Sequence, residues 1–354
     1  MVHKRNEYVY RTRSFFHEVI FMQTDKPFKT IDEQIRILTI KRHLSINNVE
    51  AAKDILQRYG YYEIINGYKT HFLNDPNDDD KGYKDDASFE HIYDLYKLDR
   101  DIRRDLLESL EYFEQTFKQA LAYSVAKLIS DEQARYTAKS HYNTGKTHHK
   151  GRHIYNDRDR LLKKFNKLIY SDKQPFEHYR QDHHNIPPWI MIKGMSFGEV
   201  IYWYRLSKPE IRFNVIAELL GIDTTLLRAS NSDLKISQMI GDLLGLYLSY
   251  RNLTAHGGRV YNHRSERYKL RWTPLVYPNV IAASRQEFNN GNYRSSLGVV
   301  MRTLKIFDNP EPFNNLEIWL QIHLKNYLKL HKEDKDFLLE AMELDDAHIK
   351  FNLD

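Results

Sequence analysis

A long stretch of uninterrupted helical periodicity constrains the fold of this chain more than any other feature. From Ser88 to about Leu128, apolar residues recur at steps of three and four, and neither proline nor glycine interrupts them. This spacing predicts one or two long amphipathic helices that bury one face in a core. The recurring residues are Ile92, Leu95, Tyr96, Leu98, Ile102, Leu106, Leu110, Phe113, Phe117 and Leu121. Only 14 glycines and 10 prolines occur in 354 residues, which disfavours turn-dense all-β folds, so we expect an all-α, multi-helix bundle.

Start and stop signals predict shorter helices on either side of this stretch. Thr30 and Glu33 are spaced as a capping box, in which each side chain accepts a hydrogen bond from the backbone N–H of the other. Gly60 is expected to end a helix that begins near Ser45 or Asn47. Further helices are predicted from about Phe197 to Leu206, from about Lys208 to Leu220, and from Asp233 through the motif described below.

An acidic segment at 74–86 interrupts the helical pattern. Asp75, Asn77 and Asp79 alternate as in a calcium-binding loop, but Pro76 lies among them and Asp80 occupies the position that requires glycine. A solvated loop is therefore the preferred interpretation, and it marks a domain boundary. We predict an N-terminal helical lobe with a basic lead-in (1–86), a helical domain with a basic insertion at 139–167 (87–265), and a C-terminal helical extension with an acidic tail (266–354).

Several classes of chemistry are excluded by what the sequence lacks. The chain has no cysteine, which excludes disulfides, thiolate nucleophiles, cysteine zinc fingers and iron–sulfur clusters. It has no Walker loop, no dinucleotide-binding fingerprint and no G-x-S-x-G motif. His148, His149, His153 and His183-His184 lack the HExxH spacing and nearby fixed carboxylates of a zinc site. We therefore expect no metal and no cofactor.

The expected location is the cytoplasm. No run of 18 apolar residues is present, so we expect no transmembrane helix and no membrane partner. The first 18 residues carry charges throughout and contain no apolar core of a signal peptide.

The net charge of +5 conceals an uneven distribution of charge. Segment 139–167 carries nine lysines and arginines against two aspartates, whereas the last 22 residues are acidic. The chain is also rich in tyrosine (25) and histidine (17). These side chains, with lysine and arginine, stack on bases and hold phosphates. From composition alone, however, a compositional bias on a large helical surface is the preferred explanation.

The most informative local pattern lies at the end of the helix predicted from Asp233. Its apolar face, which includes Leu243, Leu244 and Tyr247, would continue onto Arg251, so a charge stands where a core residue is expected. Such a guanidinium needs an acceptor, either a carboxylate or a phosphate. Asn252 and His256 are four residues apart and share a helix face. Gly257-Gly258 is typical of a helix end, where the helix dipole favours a protonated imidazole.

Arginine and histidine in this arrangement suit cleavage of an RNA phosphodiester. A histidine with an ordinary pKa transfers protons as the neighbouring 2′-hydroxyl attacks phosphorus, and a guanidinium stabilises charge on the phosphate oxygens. No metal is required. The alternative is structural, an Arg251–carboxylate bridge with His256 as a helix cap. The spacing alone leaves both interpretations open.

The segment RNLTAH followed by GGRVYN resembles the RN-x-x-AH…R-x-(W/Y)-N signature of Abi-like proteins. These are the AbiD/AbiF group of bacterial abortive-infection proteins, in the HEPN superfamily. Other blocks follow in the family's order and extend the resemblance to roughly residues 22–262. They are KPFKTIDEQIRIL, LQRYGYYEIINGYKTHFL, LESLEYFEQTFKQALAY and PPWIMIKGMSFGEVIYWY.

The resemblance implies a HEPN-type bundle and a phage-defence protein with a metal-independent endoribonuclease site. By motif position, Arg251 and His256 become the ribonuclease pair, and Asn252 becomes the polar residue within the motif. Because such sites form between two HEPN domains and this chain has one convincing motif, a homodimer is expected. The family's long helix usually carries arginine where this chain has Lys118, a departure that weakens any phosphate role there. Trp189, Phe197, Trp203 and Tyr204 are predicted to be core residues.

RNA is the partner that the resemblance implies, since this group is associated with a small structured non-coding RNA. The predicted RNA contacts are Arg259, Tyr261 and Asn262 beside the motif, and Lys146, Lys150, Arg152, Lys163 and Lys164 in the basic insertion. A solvated basic loop is an equally good interpretation of the insertion. The alternative function is a non-cleaving RNA-binding protein that forms a ribonucleoprotein.

Overall fold

The predicted long helix is present as one unbroken element, α3, which spans Phe89–Leu128. Every apolar residue in its predicted series, from Ile92 to Leu121, is buried. The prediction of a long core helix is therefore confirmed, as one helix and not two.

The computed structural model describes residues 27–151 and 153–346. The basic lead-in 1–21, Arg152 and residues 347–354 lie outside the described residues, as do the side chains of Lys150 and His153. The chain forms two compact units, one of residues up to 66 with 70–89, the other of residues 67–69 with those from 90 onward. Within the described part, no helix combines the length and apolar character needed to cross a membrane.

The described part of the first unit contains the helices α1 (Ile31–Arg36) and α2 (Val49–Tyr59). A π-helical turn at Ile37–Lys41 continues α1, and another follows α2 at Tyr62–Asn66. The capping box of Thr30 and Glu33 is confirmed, with both hydrogen bonds formed. Gly60 ends α2 as predicted, with a φ of +86° that favours glycine.

Salt bridges fix the acidic segment 74–86 within the first unit. Lys81 Nζ lies 2.6 Å from Asp75, Lys41 Nζ lies 2.9 Å from Asp80, and an Arg42 nitrogen lies 3.2 Å from Asp79. These aspartates therefore have lysine and arginine partners within their own unit.

The second unit is a helical bundle with one small hairpin. Its helices after α3 are α4 (Gln133–Tyr136), α5 (Asp157–Ile169), α6 (Phe176–Asp182), α7 (Pro188–Met191), α8 (Phe197–Leu206), α9 (Pro209–Leu220), α10 (Thr224–Leu234), α11 (Ile236–Ala255), α12 (Arg285–Asn289), α13 (Leu297–Leu304), α14 (Glu311–Leu328) and α15 (Lys335–Met342). Strands β1 (Thr147–Lys150) and β2 (His153–Asn156) pair antiparallel, with Thr147 opposite Asn156. The all-α prediction is confirmed, and the hairpin is the one sheet in the described residues.

Aromatic side chains fill the core where α3, α8 and α11 meet. Phe113 of α3 packs edge-on against Tyr247 of α11, with ring centroids 4.8 Å apart. Trp203 of α8 is fully buried, and its indole N–H donates to the Tyr142 hydroxyl. Phe197 and Tyr204 are buried as predicted, whereas the prediction for Trp189 is wrong because its side chain is 41% exposed.

The predicted start of the motif-bearing helix is also wrong. Asp233 belongs to α10, and α11 begins at Ile236 after Lys235, which adopts a left-handed conformation with a φ of +53°. The Asn231 side chain accepts hydrogen bonds from the Ser237 N–H and hydroxyl, so it satisfies a free donor of the new helix. The turn between the two helices therefore depends on an asparagine six residues before its partner, a signal that periodicity does not contain.

Three histidine–aspartate pairs attach the C-terminal segment to α3. His323 of α14 lies 2.6 Å from Asp105, His331 lies 2.9 Å from Asp94, and His91 lies 2.8 Å from Asp334. Burial favours a higher pKa for Asp105, but hydrogen bonds from His323 and Arg104 outweigh it and hold the pKa below the ordinary aspartate value. The pKa of Asp94 is lowered in the same way, by His331 and Lys97.

These lowered pKa values predict an attachment that weakens in acid. A depressed folded-state pKa contributes stability above the unfolded value near 3.9, and that stability is lost as the pH falls through the folded value. At pH 7 we expect Asp105→Asn to lose about 1.5–3 kcal/mol of unfolding free energy, the usual worth of a hydrogen bond to a charged group. Thermal unfolding at pH 7 and pH 3 checks this. The difference from wild type should be smaller at pH 3 than at pH 7. The more exposed Asp101→Asn should change little at either pH.

Candidate functional site

The motif lies at the C-terminal end of α11. His256 is the C-cap residue, and its N–H donates to the carbonyls of Asn252 and Thr254. Gly257 follows with a φ of +77°, a conformation that side chains rarely adopt, and it turns the chain away from the helix axis. Asn252 and His256 are both exposed. The predicted helix end is therefore present, and the two residues predicted to share a helix face are both exposed.

Arg251 faces α3, where Glu114 is its partner. The Arg251 Nε lies 3.4 Å from Glu114 Oε2, and Lys118 Nζ lies 2.6 Å from the other carboxylate oxygen. The Glu114 side chain is only 9% exposed, while that of Arg251 is 33% exposed. The structural alternative of an Arg251–carboxylate bridge is thus present. The guanidinium nevertheless keeps part of its surface open to a ligand.

Arg103 of α3 caps the turn that follows the motif. One of its terminal nitrogens donates to the carbonyl oxygens of Gly257, at 2.6 Å, and Gly258, at 3.4 Å. A cation at this position also interacts favourably with the negative end of the α11 dipole. Arg103 therefore fixes the backbone directly after His256.

Asp99 holds the next part of the loop from inside the core. Its Oδ1 accepts from the backbone N–H groups of Val260 and Tyr261 at 2.9 and 2.7 Å, and its Oδ2 accepts from the Tyr68 hydroxyl at 2.8 Å. Burial raises the pKa of Asp99 above its ordinary value, against the opposing effect of these three hydrogen bonds. A buried carboxylate with three donors is a specific anchor for the loop.

The three predicted RNA contacts beside the motif lie in different environments. Tyr261 is 2% exposed and stacks on Tyr68 with centroids 6.1 Å apart, and burial raises its pKa to about 12. Arg259 is half-buried, with its guanidinium 5.8 Å from the Tyr68 ring centroid. Asn262 is exposed. A base could reach the Tyr261 ring only if this packing opened, whereas Arg259 and Asn262 already have accessible surface.

The predicted contacts of the basic insertion lie on a different part of the unit. Lys146 and Lys163 are exposed, whereas Lys164 of α5 forms a 2.8 Å salt bridge with Glu199 of α8. The Lys150 side chain and Arg152 lie outside the described residues. The hairpin packs against α5, which in turn packs against α8, whereas Arg251 of the motif pairs with Glu114 of α3.

One cluster of side chains has the composition of a metal site. His91, His331 and Glu333 are, within the described residues, the group whose ligand atoms all lie within 4.8 Å of one another. The two imidazole rings are parallel within 9° and stacked with centroids 3.7 Å apart. A metal ion bound by both rings would have to lie near both ring planes, which parallel stacking does not allow. The arrangement suits the paired attachment of α14 better than it suits a metal.

Comparison with protein families decides where this chain belongs. Residues 54–262, more than half of the chain, match the model of the Abi-like protein family. The protein belongs to the Abi-like family. The match includes all of α3 and ends at Asn262, so it contains Asp99, Arg103, Glu114 and the whole motif. No curated protein and no solved structure matches the chain. Membership of the family supports a general role in abortive infection, a form of phage defence.

The chemical capacity of the site follows from these contacts. An exposed imidazole ends the helix, an amide lies one turn before it, and a partly open guanidinium is held by a buried carboxylate. Imidazole exchanges protons near neutral pH, and guanidinium binds phosphate through paired N–H donors. The arrangement therefore suits an anionic ligand that undergoes proton transfer.

Proposed function

We propose that this Abi-like protein acts in phage defence by binding RNA and cleaving it without metal at its Arg251–His256 site. The observation that carries the proposal is the exposed imidazole of His256 at the end of α11, on the same helix end as the anchored guanidinium of Arg251. The family membership supports the defence role, and the side-chain chemistry supports RNA as the substrate.

The proposed reaction uses the 2′-hydroxyl of RNA as its nucleophile. The 2′-oxygen forms a bond to phosphorus, and the bond from phosphorus to the 5′-oxygen breaks, which leaves a cyclic phosphate and a 5′-hydroxyl. His256 moves a proton during this exchange, and Arg251 stabilises the charge on the non-bridging oxygens. DNA lacks the 2′-hydroxyl and should not be cleaved.

A homodimer would bring two such helix ends together. Each chain supplies one convincing motif, so a two-fold axis beside α11 would place two arginines and two histidines around one RNA strand. If the dimer is required, specific activity should fall on dilution in parallel with the dimer fraction measured by analytical ultracentrifugation.

The deciding experiment is RNA cleavage by the purified full chain in excess EDTA. We expect fragments with cyclic phosphate ends from RNA and none from DNA of the same sequence. Cleavage that EDTA abolishes, or that DNA also undergoes, would contradict the proposed chemistry.

A non-cleaving ribonucleoprotein is the second candidate, favoured by the partial neutralisation of Arg251 by Glu114. An intact, discrete RNA extracted from the purified protein, with no cleavage under any condition, would select it. Absence of any RNA affinity at moderate salt would contradict both candidates.

Glu114→Gln separates binding from catalysis at the proposed site. The change removes a negative charge beside Arg251 and Lys118, so RNA affinity should rise. Loss of the salt bridge also frees the Arg251 guanidinium to rotate, which should lower the cleavage rate about tenfold. Single-turnover rates and fluorescence anisotropy measure the two effects. Glu111→Gln, an exposed glutamate one turn earlier on α3, is the matched control. A wild-type cleavage rate in Glu114→Gln would remove the positioning role.

A further inference from the structure

An open groove lies along α3 next to the candidate site. Its volume is about 1040 Å³. Pockets that hold one small ligand usually measure roughly 300–1,000 Å³, so this groove has room for a larger ligand. One wall is α3, and the other is α7 with the 3₁₀ turn that follows it at Ile192–Gly194. The lining of the groove includes Gln115, Gln119, Tyr123, Trp189, Lys193 and Glu218.

Two large aromatic side chains are exposed in this groove. Trp189 is 41% exposed and Tyr123 is 47% exposed, whereas Trp203 in the adjacent core is fully buried. Exposed aromatic side chains that share a groove are typical of binding sites, because nothing within the fold has removed them from water. Aromatic rings on opposite walls suit a flat ligand with π-faces.

The remaining groups in the groove are polar and positive. Gln115, Gln119 and Tyr123 follow one another at four-residue steps, so they share one exposed edge of α3. Lys193 is exposed, and among the described residues it has no carboxylate within salt-bridge distance. Glu218 lies 3.9 Å from Lys127, which offsets its charge. The glutamine amides can hydrogen-bond to base edges, and the Lys193 ammonium can bind a phosphate. These groups suit a nucleotide strand better than an apolar peptide.

The groove adjoins the candidate site, so a nucleotide strand bound in the groove would belong to the same RNA that reaches Arg251. Lys118 lines the groove and lies 2.6 Å from Glu114, which is the partner of Arg251. The groove therefore begins one helical turn of α3 from the guanidinium. A strand with one phosphate at Arg251 would extend along α3 into the groove.

We propose that this groove binds unpaired nucleotides of the RNA whose phosphate reaches Arg251, with bases stacked on Trp189 and Tyr123 and a phosphate held by Lys193. The inference rests on the proposed RNA function and adds a substrate class to it, single-stranded RNA. Bases in a duplex already stack on one another, so they cannot offer free faces to these rings.

The test measures RNA binding in the His256→Ala background, in which the RNA should remain intact. The probe is a fluorescein-labelled oligouridine, followed by anisotropy against a duplex RNA of equal length. Base–aromatic stacking is worth roughly 1–3 kcal/mol, so Trp189→Ala should weaken oligouridine binding about 5- to 150-fold, and Trp189→Phe should restore most of it. Trp319→Ala is the matched control, because Trp319 on α14 is also 41% exposed. Its affinity should equal that of the parent.

Each other outcome is decisive. Wild-type affinity in Trp189→Ala, or equal binding of duplex and single strand, would overturn the groove assignment and leave cleavage at His256 standing. A shift of the monomer–dimer equilibrium without a change in RNA affinity would instead make the groove a protein interface. Absence of RNA binding by the unmodified chain would remove the proposed function itself.

Discussion

Replacing His256 with alanine should slow RNA cleavage by about 100-fold or more, while the melting temperature and the RNA affinity stay close to wild type. A positioned general acid or base contributes roughly 10²–10⁴ to a rate, and His256 is the exposed imidazole of the motif. Its side chain is exposed and the backbone N–H makes the cap, so alanine keeps the helix end. Single-turnover cleavage in EDTA measures the rate, and anisotropy measures the affinity.

His183→Ala is the matched control for this prediction. His183 is also an exposed histidine at a helix C-cap, at the end of α6. Its loss should leave cleavage unchanged. Equal rates in wild type and His256→Ala would contradict the proposed mechanism. A similar loss in both variants would point to a general effect of removing a surface histidine.

Arg251→Lys should also be slow, since lysine keeps the charge but lacks the planar fork that binds two phosphate oxygens. The lysine still places a cation beside Glu114, so the buried carboxylate keeps a charged partner at this position. A rate near that of wild type would mean that charge alone is sufficient at this position.

The sequence predicted the elements whose signals are local. The periodicity of α3, the capping box at Thr30 and the glycine stop at Gly60 each depend on residues within a few positions of one another. The predicted start of α11 was wrong because the true start is set by the left-handed conformation of Lys235 and by the Asn231 cap. Neither feature changes the apolar pattern of the sequence. Short-range patterns record which face is buried, but not where a turn divides two adjoining helices.

The partners of the motif were not predicted because they lie far away in the chain. Asp99, Arg103 and Glu114 reach α11 and its loop across more than 130 positions. A signal was present nonetheless. Asp99 continues the buried series of Leu95 and Ile102, just as Arg251 continues the series of Tyr247. Charged residues within apolar stripes need partners, so two such positions on two helices are candidates for a shared site.

The surplus of tyrosine has a structural explanation. Many of these rings are buried, and their hydroxyls donate to backbone carbonyls in loops or at a helix end, such as Tyr136 to Ile186, Tyr142 to Tyr136, and Tyr250 to Ser295. A tyrosine in such a position fills the core and also satisfies a carbonyl that would otherwise lack a partner. Composition indicated aromatic side chains with polar tips, but it could not distinguish a loop carbonyl from an RNA base as their partner.

Asp99→Ala should be the most destabilising single change near the site. Alanine leaves three buried donors without an acceptor, the N–H groups of Val260 and Tyr261 and the hydroxyl of Tyr68. Each unsatisfied group costs about 1–3 kcal/mol, so we expect a loss of at least about 3 kcal/mol of unfolding free energy. Chemical denaturation followed by circular dichroism measures it.

Asp99→Asn distinguishes the hydrogen bonds from the charge. The asparagine carbonyl can still accept from Val260 and Tyr261, and its amide can donate to the Tyr68 oxygen. Because burial already raises the pKa of Asp99, loss of the charge itself should cost little, and most of the stability should return. If Asp99→Asn is as unstable as Asp99→Ala, the ionised carboxylate is essential and the loop depends on charge. If both variants match wild type, the loop after His256 is held by Arg103 and its own packing, and Asp99 is not its anchor.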